Sequence, residues 1–262
     1  MNEKSLKKRY KIIIKIFGNL IKMLYICSKQ TYNMKNKYYN HQYFDEINDE
    51  IKAYLLGFFI ADGYLHSQSN RFGVSIQEND KIILKYYQKM ICDNSIYTKN
   101  RTTSQIKRLN QSTFRWSSAH MNNIFKNKYK IIANKTYDNN FEFPFETIPD
   151  QYIRHFIRGF IDGDGSFESN GNIFTITLIS TSLIFLKQIG NFICNLENEI
   201  EMNIKEIQGK TIKYYRLRFN MFRKNKPEKV LKIYNYLYQD SELYLKRKKD
   251  KIESYLKYRG KL

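Results

Sequence analysis

Two aspartates, Asp62 and Asp164, lie 102 positions apart; Gly57 and Ala61 precede the first at a spacing of four, Gly159 and Gly163 the second, and a glycine follows each. Both acids fall at the end of a stretch with helical periodicity. An anion there faces the negative pole of the helix dipole, at a cost of a few tenths to about 1 kcal/mol. A lone Asp-Gly at a helix end is ordinary turn chemistry. Its repetition at equivalent positions argues for a use. Two carboxylates brought together repel unless cations lie between them, and a carboxylate site completed by waters and phosphate oxygens suits Mg2+ or Mn2+. A divalent cation held there lowers the pKa of water and stabilises a leaving oxygen, which is the chemistry of metal-assisted phosphodiester hydrolysis.

The small residues point the same way. Glycine inside a helix costs about 1 kcal/mol relative to alanine, so something must compensate for Gly57 and Gly159. Small residues on one stripe let two helix backbones approach, because interaxial distance follows the side chains at the contact. The two stretches are therefore expected to pack on each other through Gly57, Ala61, Gly159 and Gly163 and to bring the two aspartates to one place.

Sliding the chain along itself by 102 residues pairs 54–92 with 156–194 without a gap, and twelve positions coincide, among them Phe58/Phe160, Gly63/Gly165, Phe72/Phe174, Leu84/Leu186 and Cys92/Cys194. One unit of about a hundred residues is stated twice, and a pseudo-two-fold pair is the natural outcome. Each copy shows helix, two strands, helix, two strands, helix. First helices are expected over 46–61 and 150–163, closing on glycines suited to a positive-φ cap. Segments 72–77 and 174–178 alternate apolar and polar residues, the period of a strand with one face on a core. Asn79-Asp80 and Thr181-Ser182 offer N-caps for the helices that follow. Further strands are expected near 95–107, 113–117, 203–208 and 211–222, and closing helices over 119–129 and 228–258, the last broken at Asp240-Ser241. The expected class is α+β with an antiparallel sheet per half. A basic extension (1–45), a first half (46–136), a linker with Pro144 and Pro149 (137–149) and a second half (150–262) make up the chain.

Lys+Arg 45 against Asp+Glu 25 leaves a net charge of +20, which points to a polyanionic partner, nucleic acid before membrane. Cys27, Cys92 and Cys194 show no zinc spacing and are expected as reduced thiols. The apolar stretch 12–26 is interrupted by Lys15 and Lys22, so no transmembrane helix is expected. The Lys-rich N-terminus suits either a transit peptide or an extension continuous with an upstream reading frame. Heavy use of Lys, Asn, Ile, Tyr and Phe fits an A+T-rich coding sequence and favours an organelle, a mitochondrion first, with plastid and cytoplasm left open.

Residues 55–63, Leu-Leu-Gly-Phe-Phe-Ile-Ala-Asp-Gly, and 157–165, Ile-Arg-Gly-Phe-Ile-Asp-Gly-Asp-Gly, resemble the two motifs of a LAGLIDADG homing endonuclease. The similarity continues from Lys135-Thr136 through Pro149 and into Tyr244-Leu-Lys-Arg-Lys248, and so reaches most of 46–258. The resemblance implies two αββαββα halves forming a saddle whose sheets follow the major groove of double-stranded DNA. It implies a monomer that breaks both strands of a long asymmetric target. The eighth motif position supplies the metal-binding carboxylates, here Asp62 and Asp164, and the carbonyl of Ala61 or Gly163 precedes each. The sixth position is Asp162 in the second copy but Ile60 in the first. A basic residue beside the scissile phosphate falls on Lys248, with Lys135 as its candidate counterpart, and a strand-end polar group that organises water falls on Glu78 and Ser180.

On that saddle the period-two alternation names the groove side: Arg71, Ser75 and Gln77 on one strand, Gln111, Thr113 and Arg115 on another. In the second copy it names Thr175 and Thr177, then Tyr214, Arg216, Arg218 and Asn220. Arginine pairs with guanine, and Gln or Asn with adenine. Lys99, Arg101, Lys213 and Lys224 suit phosphates, which position without specifying. Two alternatives stay open: an RNA maturase acting on its own intron, and a DNA-binding regulator that has lost catalysis. An endonuclease domain within an intein is disfavoured, since Met1 is no splicing nucleophile and Gly-Lys-Leu no intein end.

Overall fold

Asp49 begins the first motif helix by accepting the Lys52 amide on its carboxylate at 2.7 Å, satisfying one of the donors a helix start leaves open. This computed structural model describes residues 38–99, 102–103, 106–107, 110–134, 137–196, 200–220 and 227–262, the side chains of 102–103, 106–107 and 220 excepted. The chain divides into units 1–39 and 40–262, and both halves of the repeat lie in the second.

The first half runs α1 (Glu50–Asp62), β1 (Gly63–Leu65), β2 (Arg71–Gln77), α2 (Ile82–Ile91), β3 (Tyr97–Lys99), a ribbon of β4 (Thr102–Thr103) and β5 (Ile106–Lys107), β6 (Gln111–Ser117) and α3 (Ala119–Asn127). The second runs α4 (Asp150–Asp164), β7 (Ser166–Asn170), β8 (Ile173–Ser180), α5 (Leu183–Cys194), β9 (Met202–Gln208), β10 (Lys213–Asn220), α6 (Pro227–Tyr238) and α7 (Lys246–Tyr258). Antiparallel sheets of order β1-β2-β6-β3 and β7-β8-β10-β9 repeat one topology. The α+β class and the doubled half are therefore as expected. No helix among the described residues is long and apolar enough to cross a membrane.

The alternation works as strand physics requires. Phe72, Val74 and Ile76 of β2 and Phe114 and Trp116 of β6 are buried. Phe72 and Trp116, directly opposite in register, stack with centroids 5.3 Å apart, and Phe72 also meets Phe125 of α3 edge-on.

Two expectations are corrected. Gly63 and Gly165 close their helices at φ −80° and −79°, in extended backbone rather than at positive φ. A Cβ on either would stand 2.5 Å from the carbonyl its own amide caps, Phe59 or Ile161, so clearance is what demands glycine. Neither Asn79 nor Asp80 caps α2: a 3-10 turn, Glu78–Asp80, precedes it, and the Asp80 carboxylate turns instead to Arg247. Ser182 does cap α5, accepting the Phe185 amide at 3.1 Å. The closing helix is broken around Asp240-Ser241 as expected, α6 ending at Tyr238 and α7 starting at Lys246, with Asp240 at φ 55°.

The connector at 137–149 is no loose linker. Phe141, Phe143, Phe145 and Ile148 are buried. Gln188 of α5 holds the backbone of Phe143 from both sides, accepting its N–H at 3.0 Å and donating to its carbonyl at 2.9 Å. Phe143 packs against Tyr129 of the first half and Phe156 of the second, at centroid distances of 6.1 and 4.4 Å.

Candidate active site

The two motif helices meet through their small residues. A Cβ added to Gly57 would overlap the carbonyl of Phe156, and one added to Gly159 would overlap that of Tyr54. Phe156 and Tyr54 are themselves equivalent under the 102-residue offset, so the contact obeys the pseudo-two-fold relation of the repeat. One turn on, a Cβ on Gly163 would collide with that of Ala61 and lie 3.4 Å from Oδ2 of Asp62. The seam thus delivers each helix end to the other.

The acids emerge there in a crossed arrangement. Asp62 shares a cavity of about 230 Å³ with Gly163, the residue before the other acid, and with Ser75, Gln77, Asp80, Gln111 and Arg247. Asp164 shares a second, of about 330 Å³, with Ala61. Each pocket is therefore lined by one motif aspartate and by the penultimate residue of the opposite motif helix. Among the described residues no three His, Cys, Asp or Glu side chains cluster to form an all-protein metal cage. A carboxylate with a neighbouring backbone carbonyl, open to water and phosphate, is a donor set that fits Mg2+ or Mn2+.

The two pockets differ in lining. Around Asp62 it is polar apart from Ile76. Around Asp164 it is formed largely by Ile60, Phe141, Phe160, Ile179, Phe185, Ile212 and Tyr214, with Ser180, Thr181 and Asp138 as polar members.

Lys248 is buried, and its ammonium donates to the carbonyls of Ile161, Asp162 and Gly165 at 2.6, 2.5 and 2.6 Å, with that of Gly163 at 3.4 Å. A cation on the last carbonyls of α4 is the complement its dipole favours. Burial lowers the Lys248 pKa to about 8 while Asp162, Asp62 and Asp164 pull it upward, so it carries its charge at neutral pH. Its donors are taken by the carbonyls at the end of α4, which places the ammonium beside the Gly163 backbone.

Asp162, the sixth motif residue, faces away from both cavities. Its buried carboxylate accepts from Tyr54 Oη at 2.8 Å, Tyr238 Oη at 3.0 Å and the Leu245 amide at 2.7 Å. Burial raises its pKa, against the opposing pull of Lys248 and these donors. Beside it the fully buried Arg158 donates to the carbonyls of Leu243 and Leu237 at 3.0 and 2.8 Å and lies over the Tyr54 ring. The position is architectural, and Ile60 at its equivalent is a buried wall of the Asp164 cavity.

The remaining expected site residues divide. Gln77 and Gln111 line the Asp62 pocket, and Ser180 and Tyr214 the other. Glu78 does not line the Asp62 pocket; it accepts from Asn110 Nδ2 at 2.9 Å. Arg71 and Arg115 are exposed on the outer sheet face, Arg115 donating to Tyr64 Oη at 2.9 Å, and Ser75 and Thr113 share a hydrogen bond of 2.8 Å. Thr175 and Thr177 lie on β8, between β7 and β10, and are buried. Arg216 and Arg218 are half-buried on β10. Thr177 Oγ1 and Arg218 Nε, on residues paired in register, have no hydrogen-bond partner among the described residues. Lys135, Arg101, Lys224 and the Asn220 side chain lie outside the described residues. Asp80 and Arg247 of the Asp62 pocket were not foreseen; Arg247 stands within the Tyr-Leu-Lys-Arg-Lys block that drew attention to its neighbour.

A family model described as the LAGLIDADG-like domain matches residues 49–120 and 151–246, both halves with their motif helices. The chain belongs to the LAGLIDADG-like family. Similar solved structures include full-length DUF199/WhiA from Thermatoga maritima, 16% identical with a TM-score of 0.48, covering 81% of this chain and 62% of that one. The N-terminal LAGLIDADG domain of DUF199/WhiA is also 16% identical, with a TM-score of 0.46 over 78% of this chain and 86% of that one. This LAGLIDADG-like chain thus spans about 62% of the length of the full-length protein it resembles. No curated protein sequence matches it.

Proposed function

We propose that this LAGLIDADG-like protein is a site-specific DNA endonuclease of the homing type, a monomer that breaks both strands of a long asymmetric duplex. The observation that carries the reading is the crossed arrangement, in which each motif aspartate shares a cavity with the residue preceding the other. The halves at 46–136 and 150–262 each serve one half-site, with 1–45 a basic extension. Arg71 and Arg115 on one sheet and Arg216 and Arg218 on the other are the base- and phosphate-reading cations.

Asp62 with the Gly163 backbone, and Asp164 with that of Ala61, would hold Mg2+ or Mn2+. A divalent cation so held supplies water of lowered pKa and neutralises charge on the phosphate. Hydrolysis joins a water oxygen to phosphorus and breaks the bond to the departing sugar oxygen, which ends protonated. In the first pocket Gln77 and Gln111 orient that water and a phosphate oxygen. Lys248 fixes the backbone on which the Gly163 carbonyl depends. Preorganisation of this kind lowers the barrier because nothing must rearrange as charge develops.

The test is cleavage of supercoiled plasmids carrying randomised inserts, followed by Asp62→Asn and Asp164→Asn on the selected sequence. Each variant should bind within threefold of the parent but nick one strand only, the strand differing between them. Full double-strand cleavage by either variant would refute the assignment. A second reading, a DNA-binding protein without cleavage, is favoured by the apolar surroundings of Asp164; sequence-selective binding with no product in Mg2+ or Mn2+ would establish it.

A further inference from the structure

Resting on the nuclease reading, we propose that Arg247 is the catalytic cation of the Asp62 site and that Asp80 is its positioning residue. The Asp62 pocket contains one cationic side chain among the described residues, and it is Arg247. This arginine comes from α7 of the second half and reaches a pocket otherwise lined by the first, Gly163 excepted. Its Nε lies 3.2 and 3.0 Å from the two Asp80 oxygens, and its Nη2 lies 2.9 Å from Oδ2. That fork-to-carboxylate geometry fixes the plane of the guanidinium.

The pair is lopsided in exposure: the Arg247 side chain is 50% accessible, that of Asp80 only 9%. Asp80 is therefore the buried anchor and Arg247 the presented group. With Nε and Nη2 given to Asp80, both N–H bonds of Nη1 remain to donate. A planar donor beside a metal-binding carboxylate is suited to a non-bridging phosphate oxygen, where it stabilises the charge that grows as the water oxygen attacks. Lys248, one residue on, cannot fill the place because the carbonyls of α4 take its donors. The loss of Asp80 as an N-cap for α2 gains its reason here: its carboxylate is committed to Arg247.

The experiment measures strand-resolved cleavage of the selected duplex by the full chain and by Arg247→Gln, Arg247→Lys and Asp80→Asn, beside the salt dependence of binding to the same duplex. The strand that Asp62→Asn leaves intact marks the Asp62 site. Arg247→Gln should slow that strand about a hundredfold and leave the other within threefold. Arg247→Lys should recover part of the loss, and Asp80→Asn should lose less than Arg247→Gln. The slope of log affinity against log salt should shrink by about 0.9 in Arg247→Gln, the value for one phosphate contact. Equal slowing of both strands, or neither slowed, with the slope unchanged would overturn the proposal. If the parent cuts no duplex, the nuclease reading fails separately. Arg247 is then judged on the slope, an unchanged one rejecting it and a smaller one keeping it as a phosphate contact.

Discussion

Tyr54 and Asp162 meet across the helix seam, the hydroxyl of one motif helix donating at 2.8 Å to the carboxylate of the other. The same carboxyl group gathers Tyr238 and the Leu245 amide, so three segments of the chain converge on one buried acid. Asp162→Ala leaves three buried donors unpaired, each costing about 1–3 kcal/mol. Urea denaturation should show a loss of about 3 kcal/mol or more, and Asp162→Asn, which keeps one acceptor, a smaller one. Undiminished stability with abolished cleavage would mean that Asp162 acts in catalysis.

The seam itself tolerates no added methyl. Gly159→Ala drives a Cβ into the Tyr54 carbonyl, which belongs to rigid helix backbone. We expect a cost of about 2–3 kcal/mol and cleavage impaired far more than binding, because the acids are displaced while the sheets are not. Gly190→Ala is the comparison: its nearest neighbour would be the flexible Met202 side chain, and the cost should be less than half. Equal effects at both glycines would remove the close approach as the explanation.

A pH effect follows from His155, which is buried and whose pKa is lowered to about 3, by burial first and then by Arg158 and Arg154. The Glu50 carboxylate 3.3 Å from its Nδ1 does not offset these. The unfolded chain binds a proton here below pH 6.5 and the folded chain does not until about 3. Stability from this group is therefore full above 6.5 and is lost as pH falls, by at most about 1.4 kcal/mol per pH unit. Between pH 6.5 and 5, His155→Gln should show a shallower decline than the parent in chemical denaturation; parallel curves would contradict the buried neutral imidazole.

DNA affinity should fall steeply with salt, since a basic protein releases counterions as it neutralises phosphates. Replacing Arg71 by Gln, exposed at the start of β2, should lower the salt slope by about 1 if it meets a phosphate. If it meets a guanine edge, selectivity at one base pair should relax instead. A flat salt response of the parent would remove the phosphate contacts from consideration.

Much of this was legible before any coordinates. The 102-residue offset announced two halves, the spacing of Gly57 and Ala61 announced a close helix contact, and the alternation around Phe72 and Phe114 placed the core face. What escaped depends on long-range partners that no local pattern encodes. Asp80 looks like a helix cap because Asn and Asp usually are caps, yet its partner lies 167 residues away. Thr175 and Thr177 fall on the expected alternation, yet they are buried while Arg71 and Arg115 on the equally central β2 and β6 are exposed, a difference set by the side chains around them and not by period two. Lys248 stands out through the resemblance of its Tyr-Leu-Lys-Arg-Lys block, and only its burial against α4 shows where its charge goes.

The connector between the halves has become shared interior, with Phe143 wedged between Tyr129 and Phe156. A gene bisected within 137–149 would therefore not return two self-sufficient subunits. Whichever fragment kept the phenylalanines would carry an oily tail, and the other would show the hollow that had received it.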